Sequence, residues 1–141
     1  MVDANSGILR INLHQVKELD AKKSMAGKWS PYAEVLLNNR RVLKSKIIKR
    51  SNNPVWEETV EVFVPDITTA SVKIQIRDDR GMAADPHIGH WEQNLVTALA
   101  EGNVKKIDWH SVRGNTTGKL KTTFGWRPIT LCLLCALDEF S

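Results

Sequence analysis

Cysteine is scarce in this sequence: Cys132 and Cys135 are the only two in 141 residues. Their spacing suits a redox pair or half of a zinc site, but no second pair exists to complete a four-ligand centre. The four histidines, at 14, 87, 90 and 110, are scattered. No metal centre and no cofactor are therefore expected. A disulfide framework is excluded as well, in keeping with a reducing compartment. Long hydrophobic runs are also missing. The longest, Ile129 to Leu137, falls well short of the roughly 20 residues that span a bilayer. Residues 1–7 are polar, so no signal peptide is expected at the start. No repeat or low-complexity tract appears. No histidine stands in an arrangement with Ser or Cys that reads as a catalytic triad, so the chain is not expected to be an enzyme.

What is present is the make-up of one globular domain. The apolar fraction is 42% and the charged fraction 26%, which is ordinary for a folded chain of one-domain size. A disordered chain would carry fewer large apolar residues and a stronger charge imbalance. The net charge of +4 is small but unevenly spread. Arg40, Arg41, Lys44, Lys46, Lys49 and Arg50 fall in a short segment without a single acid. Such a cluster is compatible with an anionic membrane, a nucleic acid or an acidic protein partner. Nucleic acid fits least, because no groove-reading helix is apparent and no exposed aromatics interleave with the basic residues.

Two-residue periodicity dominates the chain. In GILRINLHQV, Leu9, Ile11 and Leu13 share one parity while Arg10, Asn12 and His14 share the other, which predicts a half-buried strand. A polar loop over 17–31 follows. Further strands are predicted over Tyr32–Leu37, Val42–Lys49, Trp56–Val64, Val72–Arg77, Ile88–Glu92, Val104–Val112 and Leu120–Trp126. A turn or short helix is expected over 93–102. Asn38-Asn39, Ser51–Pro54 and Pro65-Asp66 punctuate them as turns. Eight short strands of this kind predict an all-β fold, an eight-stranded antiparallel β-sandwich.

The motifs fall in one order: GILRINL, a loop closing on G-x-x-S-P-Y, the basic strand KSKIIKR, then NNPVWEE, then an Asp-rich loop ending in I-G. In that order they resemble a C2 domain over roughly residues 6–128. SPYAEVLLNN, KRSNNPVWEE, DDRGMAADP and GKLKTTFGWRP further resemble the C-terminal C2 domain of fungal tricalbins. These are relatives of the extended synaptotagmins, which hold the endoplasmic reticulum against the plasma membrane. The family-type strand GKLKTTFGW comes last, and this implies the circularly permuted, type II topology. The expected organisation is a C2 domain over 1–128 and a C-terminal tail over 129–141. The resemblance implies a peripheral, cytoplasmic-face membrane module within a longer parent at contacts between those two membranes.

C2 domains that bind calcium do so with carboxylates from two loops, because the ion needs six to eight oxygens and anionic charge. At the matching positions this sequence has Ser24 and Ser30 in the first loop, and Asp78, Arg80 and Pro86 in the third, with Asp79 and Asp85 nearby. The resemblance therefore implies a vestigial calcium site. Many C2 domains bind phosphoinositide head groups on a concave basic face. The positions implied here are Tyr32, Arg41, Lys44, Lys46 and Lys49, with Lys44 and Lys46 sharing a strand face and Leu43 and Ile47 opposite. Glu34 and Leu36 stand where the strongest binders have lysines, which favours a diffuse patch for anionic phospholipids. Met25, Trp29 and Met82 lie on the loops that in this family point at the bilayer. Trp29 is suited either to the interface or to folding back over the sandwich end. The alternative use of the same surfaces is docking on a protein partner or another domain of the parent.

Overall fold

Leu9, Ile11 and Leu13 are wholly buried while the residues between them are not, so the alternation in the first segment is that of a strand on a core. The computed structural model describes residues 5–22, 24, 27–81, 85–102, 109–115 and 117–129. Its strands are β1 (Gly7–Lys17), β2 (Pro31–Leu37), β3 (Arg40–Lys44), β4 (Val55–Val64), β5 (Ser71–Asp78), β6 (His87–Asn94), β7 (Trp109–Ser111) and β8 (Lys119–Pro128). One helix, α1 (Leu95–Gly102), joins β6 to β7. The strands form two four-stranded antiparallel sheets, ordered β4-β1-β8-β7 and β3-β2-β5-β6. The C-terminal strand β8 lies beside β1 in the first sheet, the permuted order expected from the position of GKLKTTFGW.

The core is the set of inward positions of both sheets: Leu9, Ile11 and Leu13 from β1, Ala33 and Val35 from β2, Val72, Ile74 and Ile76 from β5, and Leu120 and Phe124 from β8. Trp56 is 1% exposed and donates its indole N–H to the Lys46 carbonyl at 2.9 Å. It closes the gap between the sheets where β3 and β4 face each other. Burial of a side chain of this size removes its whole apolar surface from water without leaving its one polar atom unpaired.

Local chemistry accounts for the connections. Asn38 and Asn39 both take positive φ, 51° and 65°, which is the geometry of the two-residue hairpin turn that matches strand twist. Asn94 caps α1 by accepting the Thr97 N–H at 2.8 Å, satisfying an end donor of the helix. Leu95, Ala98 and Leu99 then bury one face of the helix against the sandwich. Gly89 has its reason in packing. A Cβ there would stand 2.4 Å from Val112 Cγ1 and 2.8 Å from the Arg113 carbonyl, where His90 and Arg113 pair across the sheet end.

Two elements differ from expectation. The basic strand expected over 42–49 keeps its ladder only over Arg40–Lys44. Beyond it the pairing with β2 becomes irregular: the Ser45 N–H still donates to the Ala33 carbonyl and the Ile48 N–H to the Pro31 carbonyl, while the Ser45 hydroxyl accepts the Ala33 N–H and the Lys46 N–H donates to Glu58 Oε2 of β4. The inward phase slips in consequence. Ile48 packs against the core, and Ile47, expected to point inward, is 39% exposed. The strand expected over 104–112 is described only as the short β7, since 103–108 lie outside the described residues.

Candidate functional site

The loops after β1, β3 and β5 gather at one end of the sandwich, and the acids Asp78 and Asp85 there are already engaged. Asp78, 7% exposed, accepts the Ser30 N–H on Oδ1 at 2.7 Å and the Arg80 guanidinium on Oδ2 at 2.9 Å. Asp85 accepts the Tyr32 hydroxyl at 2.6 Å and the Arg80 N–H at 2.9 Å. These bonds hold its carboxyl below the usual carboxylate range, the Tyr32 hydroxyl first and the Arg80 N–H second. The Pro86 carbonyl accepts the Asp78 N–H. Ser24 donates to the Lys28 carbonyl and Ser30 accepts the Arg50 N–H. The donor set does not fit calcium: two hydroxyls bring no charge, and a guanidinium is bonded to the central carboxylate. Among the described residues no cluster of three potential metal ligands occurs.

Trp29 corrects one expectation. Its loop position suggests a residue facing a bilayer, yet it is 4% exposed and its indole N–H donates to the Asp20 carbonyl at 2.8 Å. Asn115 clamps the same stretch, accepting the Asp20 N–H and donating to the Asp20 carbonyl. The tryptophan therefore belongs to the sandwich end. Met25 and Met82, named with it, lie outside the described residues, as do Cys132, Cys135 and most of the tail.

The basic segment is arranged in the opposite way. Arg40, Arg41, Lys44, Lys46, Lys49 and Arg50 are all exposed or half-buried at most. Of the six only Arg41 makes an ion pair among the described residues, to Glu34 at 3.1 Å. Lys44 holds its ammonium 4.9 Å above the Tyr32 ring centre, a cation–π contact. Tyr32 is itself 5% exposed, so it is a platform under Lys44 and not a surface contact. Burial and its bond to Asp85 push the Tyr32 hydroxyl up to about 12. Lys44 lies on the ladder, whereas Lys46 and Lys49 follow it where the chain turns toward the loop end. The cations thus run as a stripe along the sheet edge and not as the face of one regular strand.

Cross-strand register extends this face in a way that sequence reasoning missed. Glu34 pairs with both Lys44 and Gln75, Tyr32 with Arg77, Gln75 with His90, and Arg77 with His87. Lys73, Arg77, His87 and His90 therefore share the outward face of the second sheet with Lys44. Glu34 accepts the Arg77 guanidinium at 2.8 Å as well as that of Arg41, so one acid stands between two arginines. The alternation of Lys73, Gln75 and Arg77 is legible in the sequence, but strand adjacency is not.

Residues 7–112 match the family model of the C2 domain. The chain belongs to the C2 domain family. This C2 domain is 31% identical over 127 residues to Tricalbin-3 of Saccharomyces cerevisiae, covering 89% of this chain and 8% of that protein. It is 37% identical over 103 residues to Synaptotagmin-4 of Arabidopsis thaliana, covering 72% of this chain and 18% of that protein. A solved structure of two consecutive C2 domains of Extended-Synaptotagmin 2 superposes with a TM-score of 0.74 at 25% identity, covering 96% of this chain and 46% of that one. The C2 domain thus spans less than a fifth of the length of these two curated relatives.

Proposed function

We propose that this C2 domain attaches weakly and reversibly to anionic phospholipid membranes without calcium, through the cationic stripe of β3 and the loop that follows it. It would act as one module of a tether or lipid-transfer protein at contacts between the endoplasmic reticulum and the plasma membrane. One observation carries the reading: six cations lie together on the surface, five of them without an ion pair among the described residues, beside loops whose Asp78 and Asp85 are bonded internally. A basic residue near an anionic leaflet contributes about 1 kcal/mol. A handful of them gives an attachment that salt reverses, and a tether would need several such modules acting together. Glu34 between Arg41 and Arg77 supports a diffuse patch over a tight head-group pocket.

The alternative reading is docking on a protein partner or on another domain of the parent. A groove of about 690 Å³ between β3 and β4 favours it. It is lined by Val42, Val60, Val62 and Phe63, and Phe63 is 48% exposed. Vesicle flotation separates the two readings. The lipid reading expects binding to phosphatidylglycerol vesicles and none to phosphatidylcholine, with loss of binding as salt rises from about 0.1 M toward about 1 M. Absence of binding to either vesicle overturns it in favour of the protein partner.

A further inference from the structure

His87 and His90 on β6 lie with ring centres 5.2 Å apart, on the outward face that Tyr32 occupies two strands away and Lys44 three strands away. The cross-strand partner of His87 is Arg77 and that of His90 is Gln75. Lys73 completes the β5 side. Glu92 follows on β6 itself, Arg113 pairs with His90 across the sheet end, and Asp20 and Lys22 of the first long loop line the cleft beside His87. The pair therefore sits among more cations than acids. His87 is exposed and His90 half-buried. His90 Nδ1 is inaccessible and has no hydrogen-bond partner among the described residues.

We propose that the anionic-membrane face extends across β5 onto His87 and His90, and that proton uptake by this pair tightens attachment as the medium becomes acidic. The inference rests on the lipid reading above and adds its regulation. In the free domain both imidazoles are held below the ordinary histidine range. For His87 the causes are burial first, then His90, Arg77 and Lys73. For His90 burial again comes first, then Lys73 and Arg113, with Glu92 acting the other way. An anionic surface supplies the counter-charge that this neighbourhood lacks, so attachment raises both values. A group that binds its proton more tightly in the attached state favours attachment at low pH. The gain begins as pH falls through the attached-state value and is complete below the free-state value. Each charge gained at the surface is worth up to about fivefold in affinity.

The test uses phosphatidylglycerol vesicles, because a phosphomonoester head group titrates near pH 6 itself. Affinity is measured from about pH 7.5 to about pH 5.5 for the wild type, H87Q/H90Q and the control H14Q. The expected result is a rise of about tenfold in the wild type and in H14Q, and a flat profile in H87Q/H90Q whatever its affinity at the alkaline end. A flat wild-type profile, or the same rise in H87Q/H90Q, overturns the inference and leaves the lipid reading standing. No binding at any pH overturns both. Imidazole carbon NMR of the unsubstituted domain, with and without phosphatidylglycerol bicelles, reads the coupling without any substitution. Upward movement of both midpoints supports the inference, and unmoved midpoints contradict it.

Discussion

The loop end around Asp78 and the edge around Lys44 carry comparable amounts of charge, and the fold treats them in opposite ways. At the loop end Asp78 and Asp85 are each bonded within the domain. Arg80 sits on Asp78, Tyr32 on Asp85, and backbone N–H groups complete both carboxylates. At the edge, Lys44, Lys46 and Lys49 make no ion pair among the described residues, and the hydrogen bonds around them hold the backbone in place, with only the Lys44 ammonium resting on a side chain, the Tyr32 ring. A charge consumed by the fold contributes to stability and offers little to a partner. A charge left exposed contributes almost nothing to stability and remains available for binding.

That contrast can be broken at several points. The largest effect should come from K44Q/K46Q/K49Q, which is expected to lower affinity for phosphatidylglycerol vesicles by about a hundredfold in a flotation titration. Its urea midpoint should stay close to that of the wild type, since exposed substitutions usually lie within about 0.5 kcal/mol. Asp78→Ala should show the reverse. Removal of the acid leaves the Ser30 N–H and the Arg80 guanidinium without their acceptor, a cost of about 2 kcal/mol in urea unfolding, with vesicle affinity unchanged. A cycle with Arg80→Ala should return a coupling of about 1 kcal/mol. Additive single effects would mean that the pair is not a unit.

Rebuilding the cup is the third test. S24D, S30D, R80D and P86D together should create a calcium site, seen by calorimetry and by a melting temperature that rises with added calcium. At tenfold excess over the dissociation constant the stabilisation would be about 1.4 kcal/mol. No response in the rebuilt domain would show that more than side-chain identity closes the site to the ion.

The smallest effect concerns Tyr32. Its folded value, about 12, lies above the ordinary 10.0, so the stability it contributes is complete below 10.0 and is lost as pH rises toward 12. The wild type should lose a few degrees of melting temperature across that window relative to Tyr32→Phe. Parallel profiles would remove the hydroxyl from the account.

Much of this was legible in the sequence. The parity of Leu9, Ile11 and Leu13 is a direct print of the pleat, and Trp56 in NNPVWEE announces the plug between the sheets. The serines at 24 and 30 and the arginine at 80 are already visible at the positions where the family resemblance would place calcium ligands. What escaped depends on three-dimensional neighbours. The stripe of cations looks like one regular strand until the pairing with β2 is seen to turn irregular past Lys44, where the Ser45 hydroxyl and Glu58 also bond the backbone. Trp29 reads equally well as an anchor or a plug, until the Asp20 carbonyl is found under its indole. His87 and His90 look scattered because only the pairing of β3, β2, β5 and β6 puts them on the same face as Lys44.

Flotation of the wild type and of K44Q/K46Q/K49Q with phosphatidylglycerol vesicles, each in calcium and in chelator, tests the central claim most directly. Equal binding of the wild type in both media, with loss of binding in the triple variant, is the result expected of a domain whose exposed edge does the work. Binding that requires calcium, or that survives loss of the three lysines, would contradict it.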